Sequence, residues 1–115
     1  MSQTRHLTDN NDRAAFAAVW QDVTVGWVDA AVERHLQSKP VVMIGGLVVR
    51  EDLRGKGIGQ QLCHAVEHWA TQIGIGVVRV RCELKRADAH RFYLREGYSQ
   101  VKVSSVFEKY VLRQA

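Results

Sequence analysis

The sequence predicts a single α/β domain, and three observations carry that reading. An apolar run at residues 41–49, a glycine-rich hexapeptide at residues 54–59 and an amphipathic stretch at residues 60–73 follow one another as strand, loop and helix. Apolar and polar residues then alternate from Val78 to Leu84, which is strand periodicity. With 115 residues, 46% of them apolar, the chain can build one compact core and not two. Residues 1–115 therefore form one domain, with about the first 13 residues as a flexible leader.

In chain order, residues 14–20 and 23–33 flank Gln21-Asp22, and the second run is rich in Val, Trp and Ala, which suggests a hairpin. The first run, Ala-Ala-Phe-Ala-Ala-Val-Trp, also has good helix propensity with Asn11 or Asp12 as a cap, so its residues alone leave both structures open. Pro40 punctuates the connection to residues 41–49, whose unbroken apolar character suits a strand buried on both faces. On the helix that follows, Ile58, Leu62, Ala65, Val66, Trp69 and Ile73 fall within roughly 100° of one another and form one apolar stripe. Gly74 and Gly76 end it. Val78, Val80, Cys82 and Leu84 alternate with Arg79, Arg81 and Glu83, a second helix runs from about Ala87 to Glu96, and Gly97 stops it. Residues 98–103 and 106–112 read as a closing hairpin around Ser104-Ser105.

The hexapeptide Arg54-Gly55-Lys56-Gly57-Ile58-Gly59 suits a bound phosphate. Its glycines let the backbone approach an anion, and the helix behind adds the positive end of its dipole. It is not a P-loop, because Gly57 stands after Lys56 where a magnesium-binding Ser or Thr is needed. Nor is it a dinucleotide fingerprint, because the glycines run G-x-G-x-G behind Arg50-Glu51-Asp52-Leu53 instead of G-x-G-x-x-G directly after the strand.

Taken with Gly46-Leu47-Val48-Val49 before it, and with Ala89-His90-Arg91-Phe92-Tyr93 and Gly97-Tyr98 about thirty residues after it, this loop resembles that of the GCN5-related N-acetyltransferases, the GNAT family. The order of elements agrees from about Ala14 to Leu112. The resemblance implies a mixed, mostly antiparallel sheet flanked by helices, and it selects a strand over a helix for residues 14–20. It implies acetyl-CoA as cosubstrate. The pyrophosphate would lie on Arg54, Gly55, Lys56, Gly57, Ile58, Gly59 and Gln60. Pantetheine and acetyl contacts would fall to the backbone of Leu47, Val48 and Val49, where adjacent strands splay apart, with the Val48 N–H polarising the acetyl carbonyl. These three residues are equally plain core, and backbone contacts allow both roles.

Acetyl transfer to an amine also needs an acid for the departing thiolate. Tyr93 matches the family tyrosine that protonates it, and a phenol near pKa 10 is mismatched with a thiol near 8.5 by only about 1.5 units. Without that role Tyr93 is a core aromatic, as Phe92 beside it is. Residues 41–49 contain no acid, His or Tyr to serve as base, which leaves Asp29, Glu33 and Glu83 as candidates against their reading as exposed strand charges. Arg86 stands where the family commonly has Asn. The family's usual N-terminal strand and two helices, which wall the acceptor groove, do not fit in the residues before the first hairpin. A homodimer would cover the sheet they leave open. Residues 25–32, 45–49 and 107–109 are similar to bacterial aminoglycoside N-acetyltransferases, while small amines, polyamines and protein amino groups stay open as acceptors. A coenzyme- or partner-binding module of the same fold with little catalysis is the alternative.

The remaining features exclude other classes. The charge of +4 and pI near 9.4 come from basic residues scattered among acids without interleaved aromatics, unlike a nucleic-acid platform. No apolar run reaches the roughly 18 residues of a membrane helix, and Met1-Ser2-Gln3-Thr4-Arg5 is no signal peptide, so a cytoplasmic protein is expected. Cys63 and Cys82 lack paired spacing and are read as reduced, packing thiols. His64-Ala65-Val66-Glu67-His68 spells an inverted zinc-protease signature, but His64 and His68 lie opposite the apolar stripe, so no metal is assigned.

Overall fold

The computed structural model describes residues 3–9, 12–81, 87–101 and 107–112. Strands β1 (Gln3–Asp9), β2 (Arg13–Trp20), β3 (Val23–His35) and β4 (Ser38–Val49) are followed by a 3-10 turn (Glu51–Leu53), helix α1 (Ile58–Gln72), strand β5 (Val78–Val80) and helix α2 (Ala87–Arg95). The strands form one sheet in the order β1-β2-β3-β4-β5, antiparallel except for the parallel pair β4–β5.

Residues 14–20 are a strand. Their helix propensity is overridden because Ala14, Phe16 and Ala18 bury one side of β2 in the core, a gain far larger than tenths of a kcal/mol per residue of propensity. The hairpin turns on Gln21 and Asp22, at φ 51° and 63°. Positive φ at both central residues matches the right-handed twist of the strands they join.

The β4 strand begins at Ser38, earlier than Pro40 suggests. Pro40 falls where the β3–β4 register shifts between Glu33 and His35, so its missing N–H interrupts no regular ladder position. A second shift places Gly46 opposite Asp29 and Ile44 opposite Ala30, which makes Gly45 the extra residue of a bulge.

The α1 helix lies on one sheet face. It buries Ile58, Leu62, Val66, Trp69 and Ala70 against a floor that includes Phe16, Ala18, Val28, Ala30, Val42 and Ile44. Gly74 at φ 82° ends it, with the Ile75 N–H donating back to the Ala70 carbonyl at 2.9 Å. Gly97 at φ 94° closes α2 in the same way, through Tyr98 N–H to the Tyr93 carbonyl at 3.0 Å.

Two expectations are corrected. The segment read as a flexible leader contains β1, which pairs with β2 along its length and stacks the His6 ring on Phe16 at 4.5 Å. As an edge strand with exposed side chains from Gln3 to Leu7, it needs no apolar alternation and shows none in sequence. No helix precedes β2 among the described residues. At the other end, residues 98–101 and 107–111 form no strand, and Val101, Phe107, Tyr110, Val111 and Leu112 are exposed. Ser104 and Ser105, Cys82, Glu83, Leu84 and Arg86 lie outside the described residues. Among the described residues, no helix is long and apolar enough to cross a membrane.

Candidate functional site

The site is built where β4 parts from β5. Among the described residues the two strands pair at Val42, Met43 and Ile44 with Val78, Arg79 and Val80, and beyond Ile44 no described strand lies on the β5 side of β4. On its other side β4 stays paired with β3 as far as Val49 opposite Gly26. The Arg50 N–H donates to the Val25 carbonyl at 2.8 Å, and such hydrogen-bonded pairs recur every second residue along an antiparallel ladder. Val48, opposite Trp27, therefore turns its N–H and C=O toward β3, while Leu47 and Val49 turn theirs to the open side. Consistent with this, the Val48 oxygen is 2.8 Å from where a Cβ on Gly26 would stand. The Val48 N–H, expected on the open side, thus faces β3, and the amides on the open side are those of Leu47 and Val49. The phase of a ladder is set by pairing and leaves no mark in the residue types.

The glycine loop follows this edge across the 3-10 turn. Leu53 is buried and pins the 3-10 turn, whose Leu53 N–H bonds the Arg50 carbonyl at 3.0 Å. Arg50 and Asp52 form an ion pair at 2.7 Å, which raises the guanidinium pKa and lowers that of the carboxyl through their side-chain hydrogen bond. Arg54 and Lys56 are exposed and make no ion pair among the described residues. Gly55 and Gly57 have φ of 81° and 83° with nothing within 4 Å of a notional Cβ, so backbone conformation, not crowding, requires glycine there.

The first intrahelical bond of α1 is Gln61 N–H to the Gly57 carbonyl at 3.1 Å, which leaves the N–H groups of Gly57, Ile58, Gly59 and Gln60 without intrahelical partners. Gly57 offers no side-chain cap, and the first turn holds no acid. These amides, the helix dipole and the exposed Arg54 and Lys56 give this end of α1 the chemistry that favours an anion. Gly59 has a further role. A Cβ there would come 3.1 Å from the Phe92 ring and 3.9 Å from Val49, so this glycine lets α2 and the end of β4 converge on the start of α1. The sequence carried that signal as a third glycine inside the helix, where phosphate contact alone does not require one.

On α2, Tyr93 is half-buried, with its ring edge-on to Phe92 at 5.1 Å and to Tyr98 at 5.6 Å. The Tyr98 hydroxyl donates to Glu67 Oε2 on α1 at 2.7 Å and ties the end of α2 to that helix. Burial, then the hydrogen bond to Glu67, push the Tyr98 hydroxyl well above the usual phenol range. Cys63 beneath it is fully buried, and burial with the nearby Glu67 and Glu96 pushes its thiol up to about 12, so it stays protonated and unreactive at neutral pH. Glu67 is therefore engaged in packing. His64 and His68 are exposed, and no three potential metal ligands come together among the described residues.

Asp29 and Glu33 both lie on β3, on the sheet face away from α1, but in different settings. Asp29 is exposed and accepts the Gly46 N–H at Oδ1 (3.0 Å). Glu33 is half-buried and held by Arg81 at 3.2 Å, with its Oε2 buried and unpartnered.

Residues 2–98 match the model of a family described as the Acetyltransferase (GNAT) family. The aminoalkylphosphonate N-acetyltransferase of Salmonella typhimurium is 42% identical over 77 residues, covering 66% of this chain and 50% of that protein. An aminoglycoside N(6')-acetyltransferase type 1 of the same organism is 34% identical over 80 residues, covering 60% and 54%. The chain thus spans about half the length of these curated relatives. Among solved structures, AAC(6')-Iy in complex with the bisubstrate analog CoA-S-monomethyl-acetylneamine superposes with a TM-score of 0.82 at 23% identity, over 88% of this chain and 71% of that one. An aminoglycoside acetyltransferase from an uncultured soil metagenomic sample, in complex with sisomicin, does so with a TM-score of 0.74 at 25% identity, over 91% and 69%.

Proposed function

The chain belongs to the GNAT acetyltransferase family, and from that premise we propose that it moves an acetyl group from acetyl-CoA to a primary amine by direct transfer. The observation that carries the reading is the edge of β4 beyond Ile44, without a partner strand among the described residues, leading through the 3-10 turn to the four N–H groups at the start of α1 that have no intrahelical partner. The pyrophosphate is held by the N–H groups of Gly57, Ile58, Gly59 and Gln60, with Gly55 shaping the loop and Arg54 and Lys56 adding charge. The Leu47 and Val49 backbone groups take the place of a missing strand, and one of their N–H groups polarises the thioester carbonyl. The ammonium form loses one proton to water, and the neutral amine attacks the carbonyl carbon; the C–N bond forms, the nitrogen releases a second proton to water, and the C–S bond breaks. The Tyr93 hydroxyl protonates the departing thiolate and is reprotonated from solvent. Phe92 packing on Gly59 supports this role, because it fixes α2 at the same end of α1.

The names of the two relatives frame the acceptor as an aminoalkylphosphonate or an aminoglycoside-like amine. A second copy of the chain, docked through exposed apolar residues of the C-terminal segment such as Phe107, Tyr110 and Val111, belongs to the same proposal. Light scattering is expected to give twice the 13.0 kDa chain mass, and a monomer at micromolar concentration would remove the dimer.

Thiol release from acetyl-CoA with a panel of primary amines tests the reaction. Tyr93→Phe is expected to lower kcat by ~10² or more while leaving the acetyl-CoA Kd within about threefold. If the wild-type protein binds acetyl-CoA but no amine raises thiol release above background, it is a binding module and the catalytic reading fails.

A further inference from the structure

Alternation along β3 sends Val28 and Ala30 into the core under α1 and leaves Trp27 and Asp29 on the opposite face, where the Trp27 ring is 42% exposed. The register shows what flanks them. Ala17 and Val48 stand beside Trp27, and Ala15 and Gly46 stand beside Asp29, so the carboxylate has only small residues on both sides. The two glycines of β4 are required by this pair. A Cβ on Gly45 would come 2.4 Å from Asp29 Oδ1, and one on Gly46 would come 3.2 Å from the Trp27 ring. Carboxylate and indole thus occupy the room that side chains at 45 and 46 would fill, and the Gly46 N–H fixes the carboxylate through Oδ1.

Of the two carboxylates on this face of β3, Asp29 is the one without an ion pair among the described residues. Glu33 is compensated by Arg81, Asp12 by Arg34 and Asp52 by Arg50. The register puts Arg5 and Arg13 on this face along β1 and β2 and Arg79 along β5, and Arg81 just after β5 reaches it through Glu33, with none directly opposite Asp29. An exposed carboxylate beside an indole face attracts a cation twice, by charge and by the ring quadrupole. Val48 alone separates this surface from the Leu47 and Val49 amides of the open edge, a span of one to two strand spacings, ~5–10 Å.

We infer that Trp27 and Asp29 form a recognition site for a second ammonium group of the acceptor, so that the preferred substrates are diamines and longer oligoamines. This rests on the acetyl-transfer reading and narrows its acceptor, favouring the aminoglycoside-like oligoamine over the anionic aminoalkylphosphonate. Asp29 then recognises the substrate and does not take the proton of the reacting amine.

Three amines of matched length separate the outcomes: 1,4-diaminobutane, butylamine and 4-aminobutyrate. The kcat/KM for the diamine is expected to exceed that for butylamine at least tenfold, mainly through KM, with 4-aminobutyrate poorest. Asp29→Asn keeps an acceptor for the Gly46 N–H and so keeps the fold, and it should bring the diamine-to-butylamine ratio close to one. Trp27→Leu should lower that ratio severalfold. A wild-type ratio near one, a preference for 4-aminobutyrate, or a preference that survives Asp29→Asn overturns the inference.

A second readout needs no turnover. Titration with 1,4-diaminobutane should shift the Trp27 indole N–H resonance in the wild type and not in Asp29→Asn, and absence of the wild-type shift overturns the site. Turnover of butylamine alone, without a diamine preference, leaves the acetyl-transfer reading standing while this site falls.

Discussion

Gly57→Glu is expected to weaken acetyl-CoA binding by at least ~100-fold, about 2.7 kcal/mol, in a calorimetric titration. Two effects add. Any L-residue at φ 83° pays ~1–2 kcal/mol of left-handed strain, and a tethered carboxylate would occupy the free amides of Ile58, Gly59 and Gln60 that are assigned to the pyrophosphate. The same carboxylate caps α1, so the folded state recovers much of the strain and thermal stability should change little. Gly57→Ala carries the strain without the charge and should cost no more than about tenfold. Wild-type affinity in Gly57→Glu would place the pyrophosphate elsewhere and remove the basis for the loop assignment.

Gly26→Val should be the most damaging single change to the fold. A Cβ at this position meets the Val48 carbonyl oxygen at 2.8 Å, Ile58 Cγ2 at 3.3 Å and Leu62 Cδ1 at 3.3 Å. The nearest obstacle is backbone in the β3–β4 ladder, which cannot rotate away, and the other two are the first turns of α1. Overpacking of this kind costs ~3 kcal/mol, and for a chain of this size that corresponds to a fall in Tm of ~10 °C or more. Thermal unfolding followed by circular dichroism reads it directly. A Tm within about 2 °C of wild type would mean that β3 and α1 are not pressed together here. Acetyl-CoA affinity should fall in parallel, because Ile58 opens the helix whose amides form the anion site.

The strand, glycine loop and helix from Val41 to Gln72 were legible because their period, breakers and apolar stripe are local properties of the sequence. The hairpin around Gln21 was legible from its two flanking runs, although Ala14–Trp20 as a strand needed the family layout, since alanine favours a helix until tertiary burial decides. β1 was not legible, because an exposed edge strand is recognised by the partner it bonds and not by its side chains. The closing hairpin failed in the opposite direction: Val101, Phe107 and Tyr110 look like strand residues, yet they bury nothing among the described residues. In the site, the anion loop and the assignment of Tyr93 to α2 came from sequence. What did not was long-range geometry: which β4 amides face the gap, why Gly59 must lack a side chain, and that Asp29 and Trp27 share a shelf cleared by Gly45 and Gly46.

Among the described residues, the parallel seam between β4 and β5 is three residues long. While β5 packs Val78 and Val80 on the core, α2 is a separate unit held to the β1–β4 and α1 body by Phe92 on Gly59 and by Tyr98 on Glu67. Native-state hydrogen exchange would see that division as two opening energies, with the Leu47 and Val49 amides exchanging far faster than their β3-bonded neighbour Val48. A cosubstrate lying in the gap bonds one body and bridges to the other, so it would slow exchange in both. Occupancy and folding cooperativity would then be a single thermodynamic quantity in this protein, and its melting behaviour would report the acetyl-CoA supply around it.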